Sequence, residues 1–422
     1  MPASRFVWSI LLLLCSSPVL ESAPNAAKEL HVAGLRKQKA GNLAGAEAEF
    51  TRAVSLHPRD AVAWHSRGMI RYEMGNWDGA LADFNRAIQL NPKSSPSYSS
   101  RSAVRRAKRD LDGAMADANK AIALDRGNAS AYLNRGVAWR DKGNVAAAIA
   151  DFDKALALKP TLALAYSNRG ASRADRGDVK GALADYDQAI GLDPNYATTW
   201  FNRGSAQYAQ GEVDKALADF DRAIELDPNV AHSYHNRAEV RRGKGDAEGA
   251  LADATKALEL DPKNAATHLS RGGAFAMQGN WLKAYADFDA AHGADGKNFY
   301  AALFRAVAQV RLGQAAEARK ELGAAVDKRW DASPGDWPGK VSDFLLGRID
   351  EAALLAAANA PDAETTRAQK CEGWFFAGIA RLAAGSKEEA MSCFRKSVAT
   401  EQKNFFEYQM AKAELARLEG KS

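Results

Sequence analysis

Few side chains in this sequence have the types and spacing that chemistry requires. His232, His235 and Glu239 fall at i, i+3 and i+7, on one face of a helix, and imidazole and carboxylate are zinc-ligand types. Three ligands from a single helix diverge, however, and the HExxH arrangement is missing, so no metal site is expected. Cys15, Cys371 and Cys393 are too few for a disulfide scaffold or a four-Cys zinc centre. The spacing of Cys371 and Cys393 looks too long for a bond, although an oxidising compartment would leave one open. There is no G-x-S-x-G, Gly-rich phosphate loop or zinc-protease motif. Neither catalytic residues nor a cofactor is therefore expected.

Recurring polar residues are more informative. Arg67, Arg101, Arg135, Arg169, Arg203, Arg237 and Arg271 are each followed 16 residues later by an aspartate: Asp83, Asp117, Asp151, Asp185, Asp219, Asp253 and Asp287. Buried arginine is tolerated when paired, so Arg135–Asp151, Arg169–Asp185 and Arg203–Asp219 read as structural ion pairs. Asn134, Asn168, Asn202 and Asn236 recur every 34 residues. Asparagine is a poor choice for a helix interior, and its amide offers a donor and an acceptor to an extended peptide backbone. The alternative is a bond to the neighbouring repeat. Arg106, Arg140 and Arg242 share a further position and could receive carboxylates from a partner, or simply be solvated surface charge.

These residues must be positioned by repeated elements. Sliding the sequence against itself by 34 aligns nine units over residues 27–332. Position 20 is alanine in every unit, from Ala46 to Ala318, and position 27 is alanine from Ala53 to Ala325. Position 8 is small throughout, as in Gly34, Gly136 and Gly272, while aromatics recur at position 4 (Trp64, Tyr132, Trp200) and position 24 (Phe50, Phe152, Phe288). Glycine at position 15 ends a first helix in all but the third unit, and Pro58, Pro92, Pro160, Pro194, Pro228 and Pro262 stop the second.

This pattern resembles the tetratricopeptide repeat, a helix-turn-helix unit. The resemblance implies an all-α fold, a right-handed α-solenoid of antiparallel helix pairs (a superhelix) whose first helices line a concave groove and whose C-terminal helices cap it. It also implies an asparagine ladder of the kind some such arrays use to hold peptides. Positions 7 and 23 should face each other inside each unit, and positions 2, 5, 6, 9, 12 and 13 should face the groove.

The flanks differ. Residues 1–26 have Arg5, the apolar run Phe6–Leu14 and small residues around Ser22 and Ala23, the layout of an export signal or N-terminal anchor. The run is too short for a spanning helix, so no integral membrane span is expected after processing, and Leu14 before Cys15 disfavours lipidation. Residues 333–422 should hold a linker (Pro334 to Gly339), a helical stretch from Val341 to Ala358, a tenth unit from Cys371 and a final helix from Asn404 to Glu419 covering the end of the stack. The segments Phe344–Gly347, Phe375–Gly378, Asn404–Tyr408 and Glu414–Leu415 are similar to the C-terminal part of NlpI-type bacterial envelope lipoproteins. That resemblance implies a cell-envelope scaffold docking proteases and peptidoglycan hydrolases.

Composition fits a folded protein, with 46% hydrophobic and 26% charged residues, and argues against wholesale disorder. A net charge of +5 is too small a surplus for a nucleic-acid partner. The expectation is a non-enzymatic scaffold or adaptor, periplasmic or secreted, that takes extended and acidic protein segments in its groove. The alternative is the substrate-recognition array of an enzyme or of a secretion or glycosyl-transfer system.

Overall fold

A computed structural model describes residues 19–296, 298–328, 336–403 and 405–420. The apolar run Phe6–Leu14 of the expected export signal lies outside them. All regular structure among the described residues is helical, and no helix there is long and apolar enough to cross a membrane. The chain forms two compact units, residues 1–194 and 195–422.

In the first unit, α1 (Val19–Lys39) packs on α2 (Leu43–Leu56), α3 (Ala61–Glu73) on α4 (Trp77–Leu90), and α5 (Ser95–Ala107) on α6 (Leu111–Leu124). The pairs α7 (Ala129–Asp141) with α8 (Val145–Leu158) and α9 (Ala163–Asp175) with α10 (Val179–Leu192) complete it. The second unit continues with α11 (Ala197–Ala209) and α12 (Val213–Leu226), α13 (Ala231–Lys244) and α14 (Ala247–Leu260), α15 (Ala265–Met277) and α16 (Trp281–Ala294), and α17 (Phe299–Arg311) and α18 (Ala315–Asp327). Each first helix also meets the second helix of the preceding pair within its unit, as α7 meets α6 and α15 meets α14. Burial is thereby passed from pair to pair.

Local chemistry sets each turn. Glycines at position 15, such as Gly143 and Gly177, adopt φ near +80°, a left-handed conformation that ends the first helix. The third unit has Arg109 there instead, held at φ 64°. The following residue, Asn144 or Asp178, then caps the second helix by accepting from the N–H three residues on.

Glycine at position 8 makes room for the aromatic at position 24. A Cβ on Gly136 would lie 2.6 Å from the Phe152 ring, and one on Gly272 would lie 2.7 Å from Phe288. Where position 24 is a small residue the constraint lifts: Ala118 faces Ser102, whose hydroxyl donates to the Ala114 carbonyl at 2.8 Å, and Ala254 accompanies Ala238.

The C-terminal region corrects three expectations. The stretch Val341–Ala358 is two helices, α19 (Trp337–Leu345) and α20 (Glu351–Ala357), because Gly347 at φ 75° turns the chain between them. Trp337, Pro338 and Gly339, expected in a linker, open α19: the N–H groups of a first turn have no intrahelical acceptor, so proline's lack of one costs nothing there. Pro334 and Gly335 lie outside the described residues. The tenth pair is α21 (Ala363–Ala383) with α22 (Lys387–Val398), and α21 begins eight residues before Cys371. The last helix, α23 (Phe406–Leu418), does more than cover an end. It packs on α21 and α22 and also on α15, two pairs earlier. One apolar cluster running from Ala276 to Ala411 joins these elements, with Phe288, Phe304, Phe375, Phe376 and Phe394 inside it.

Candidate functional site

Position 7 lies about two turns into the first helices that carry it, near their middle, and position 23 faces it from the second. Arg135 donates from Nε and Nη2 to both Asp151 oxygens at 2.7 Å, and Arg203 reaches Asp219 at 2.7 and 2.8 Å. The Arg169–Asp185 pair measures 2.9 and 2.6 Å. These are two-pronged, charge-assisted contacts to nearly buried carboxylates. Burial opposes the Arg169 charge, but hydrogen bonds to Asp185 and Asp153 outweigh it and raise the pKa. The guanidinium of Arg135 also lies over the Tyr132 ring, 5.5 Å from its centre.

The third arm was not anticipated from the sequence. Arg169 Nη1 donates to Asp153 of the preceding pair at 2.6 Å, and Arg237 Nη1 does the same to Asp221 at 2.5 Å. Arg135 finds Asn119 at 2.9 Å. The ion pairs thus tie neighbouring repeats together as well as closing each one. The signal was present at position 25, which is Asn or Asp in Asn85, Asn119, Asp153, Asp221 and Asp289.

The four asparagines are half-buried on the first helices, two in each compact unit. Asn134 donates from Nδ2 to the Ser99 carbonyl at 2.8 Å and lies 3.2 Å from the Ser99 hydroxyl, so it bonds the preceding repeat. Asn236 reaches Ser205 Oγ of the preceding first helix at 3.4 Å. Asn168 bonds only the Leu164 carbonyl of its own helix, at 2.7 Å, and no described hydrogen bond ends on the Asn202 amide. In Asn134, Asn168 and Asn236 these contacts engage the NH2 group, and no described bond uses the side-chain oxygen.

Of the three arginines at position 12, Arg140 is half-buried and makes no ion pair among the described residues. Arg106 approaches Asp141 at 3.4 Å. The expectation of a groove-facing cation fails at Arg242. It is 6% exposed, donates to Glu239 at 2.7 Å, and is covered by the Phe406 ring 5.2 Å away. Phe406 arrives with α23, whose docking was not foreseen.

That docking covers part of the first-helix face of the second unit, at α15, at Phe304 of α17 and at Arg242 near the C-terminal end of α13. Phe406 packs against Phe304 at 4.6 Å between ring centres, and a Cβ on Gly273 would overlap its ring at 1.7 Å. Arg417 donates to the carbonyls of Ala276 and Met277 at the C-terminus of α15, and it also pairs with Glu414. Around this contact lie three carboxyls: Glu239, Glu372 and Glu407.

The other candidate ligands are engaged separately. His235 Nδ1 lies 3.1 Å from Thr267 Oγ1, and burial lowers its pKa. Among the described residues no group of three His, Cys, Asp or Glu side chains is placed to hold a metal ion. Cys371 and Cys393 are both free thiols and buried, and Cys371 contacts Ser397 at 3.4 Å.

The tetratricopeptide-repeat profile matches residues 61–94, 129–162 and 197–230, and related repeat profiles match 170–211 and 235–298. No curated protein matches the sequence. Among solved structures, a tetratricopeptide repeat protein from Parabacteroides merdae ATCC 43184 is 19% identical, with a TM-score of 0.44, over 58% of this chain and 98% of its own. YrrB, described as a TPR protein with an unusual peptide-binding site, is 21% identical with a TM-score of 0.33, over 44% of this chain and 97% of its own. MamA is 29% identical with a TM-score of 0.35, over 39% of this chain and 96% of its own. The profile boundaries at 61, 129 and 197 coincide with the first residues of α3, α7 and α11, so the matched repeat and the observed helix pair are the same unit. The chain carries tetratricopeptide repeats over these residues.

Proposed function

We propose that the protein is a non-enzymatic adaptor of the cell envelope that holds extended segments of partner proteins along the face made by its first helices. The observation that carries this reading is the asparagine series. Asn134 and Asn168 stand at the same position of successive first helices, with side-chain oxygens that no described bond uses. Asn202 and Asn236 repeat the arrangement in the second unit. An amide oxygen can accept from a peptide N–H while its NH2 stays anchored to the repeat, so binding would depend more on the partner's backbone than on its side chains.

Arg140, with Arg106 near it in the first unit, adds a preference for acidic residues or a terminal carboxylate there. The expected export signal at residues 1–26 and the similarity of the last 80 or so residues to NlpI-type lipoproteins support an envelope location, and envelope proteases and peptidoglycan hydrolases as partners. Mass spectrometry of proteins co-purified from envelope fractions tests the assignment. Recovery of such hydrolases with the wild-type chain and their loss with Asn134, Asn168, Asn202 and Asn236 all changed to alanine is expected. Equal recovery with both chains would reject the groove as the binding face.

A further inference from the structure

Within the second unit, a cavity of about 530 Å³ opens where α23 meets α13, α15, α17 and α21. Its size is that of small-ligand pockets, which run from about 300 to 1,000 Å³. Tyr300, Phe304 and Phe406 supply apolar wall, and Glu239, Glu372 and Glu407 supply carboxyls.

Charge does not balance there. Arg242 Nη2 donates to Glu239, while its buried Nε and Nη1 have no hydrogen-bond partner among the described residues, and buried His235 has its pKa lowered, which leaves it neutral. Glu372 accepts from Trp337 Nε1 at 2.8 Å and from the Tyr300 hydroxyl at 3.1 Å, both neutral donors. Glu407 is 4% exposed and lines the cavity, yet no side-chain hydrogen bond or ion pair among the described residues ends on its carboxyl. Its own backbone N–H is the donor that lies against it. A buried carboxyl without a partner is costly, which makes this an acceptor set that a ligand would complete.

We infer that this cavity receives a basic side chain, arginine or lysine, from a partner polypeptide, with Glu407 and Glu372 accepting from its cationic head and Tyr300, Phe304 and Phe406 packing its stem. An anion would meet three carboxyls, with Arg242 the one arginine or lysine among the lining residues and already paired with Glu239 through Nη2. A neutral ligand would leave Glu407 holding the proton that burial gives it, whereas a cation displaces that proton and pairs with the carboxylate. A guanidinium or ammonium supplies the missing donors and charge, and aromatic rings favour both its head and its methylenes. The inference rests on the adaptor reading, since the side chain must come from a segment lying along the first helices. It adds a basic residue to the partner's requirements, opposite in sign to the acidic preference of Arg140 in the first unit.

The test titrates the full chain at pH 7 with acetyl-Gly-Gly-Arg-Gly-Gly-amide, its lysine and citrulline counterparts, and free arginine. The basic peptides should bind at least tenfold more tightly than the citrulline peptide, and free arginine should bind more weakly than either. Glu407→Gln should erase the preference while leaving the melting temperature unchanged or higher, and Glu372→Gln should reduce it. Equal affinity for the arginine and citrulline peptides, or no binding of either basic peptide, would overturn the inference. Free arginine binding as tightly as the peptide would overturn the polypeptide as its source. The four-asparagine variant separates the two readings. A retained arginine preference with unchanged affinity would sink the groove alone; a general loss of affinity in that variant, with no arginine preference in the wild type, would sink the cavity alone.

Discussion

Arg417 Nη2 donates to the Ala276 carbonyl at 2.6 Å, joining residues 141 positions apart and closing the C-terminal end of α15. The last turn of a helix leaves carbonyls without intrahelical partners, so a guanidinium from α23 finds acceptors already waiting. Gly273, one turn earlier on α15, leaves the space that the Phe406 ring enters.

Gly273→Ala should therefore dislodge the start of α23, since the added methyl overlaps the Phe406 ring, while improving the intrinsic helix propensity of α15. Amide hydrogen exchange over residues 405–420 should quicken at least tenfold, with α3 to α10 unchanged. Unaltered protection in α23 would mean that the ring contact does not hold the helix.

The ion-pair ladder makes a stability prediction. Arg169→Leu strips Asp185 of its two-pronged partner and should cost about 3 kcal/mol by urea unfolding, because a nearly buried carboxylate loses its compensation. Arg173 Nη1, 2.8 Å from Asp185, keeps the loss from being larger. Changing Asp185 to tyrosine as well should recover most of the deficit, and a double-mutant cycle without coupling would contradict the pairing.

Arg109 occupies the left-handed position that glycine fills in the other repeats, at φ 64°. A Cβ there costs about 1 to 2 kcal/mol, so Arg109→Gly should stabilise the first unit by about 1 kcal/mol after the entropy of the more flexible unfolded chain is included. A lower unfolding midpoint in urea would show that the arginine side chain contributes more than its backbone loses.

The helix pairs were legible in the sequence because each is specified within 34 residues: glycine at position 15, proline at 32, and a small residue at position 8 against an aromatic at 24. Position 7 with position 23 was equally readable, being a contact inside one repeat. The link from Arg169 to Asp153 was not sought because it crosses repeats, although position 25 carried it. Arg242 was misread for a different reason. Its position in the repeat faces the groove, but its burial is decided by Phe406, more than 160 residues later, and no period connects the two. The long α21 and the return of α23 onto α15 likewise depend on non-repeating residues. For the NH2 groups of Asn134 and Asn236, sequence could not choose between neighbour and ligand; in the folded chain they serve the neighbour, leaving the oxygens.

A pH dependence follows from the cavity carboxyls. Burial, then the charge of Glu372, pushes Glu407 from the ordinary value near 4.5 up to about 8, with Arg242 opposing; burial also raises Glu372. The groups around Glu407 are Arg242, Glu239 and His235 on α13, Tyr300 on α17 and Glu372 on α21. A raised folded-state pKa means the folded chain holds the extra proton, so this contribution is full below about 4.5 and is lost as pH rises through about 8. Subtracting the unfolding profile of Glu407→Gln from that of the wild type should leave a stability that falls between those values. A flat or rising difference would place the Glu407 proton elsewhere.

The adaptor reading stands or falls on the asparagines. A net contribution of about 1 kcal/mol per amide-to-backbone bond implies roughly a five-fold loss of partner affinity for one Asn→Ala change, and several hundred-fold for all four if the sites act independently. The deciding measurement takes partner affinity and thermal unfolding on the same variant, with Asn134, Asn168, Asn202 and Asn236 all replaced by alanine. A several-hundred-fold loss of affinity in a chain that still melts near the wild-type temperature is the expected result; unchanged affinity in a folded chain, or a large fall in melting temperature with binding lost only in proportion to unfolding, would contradict it.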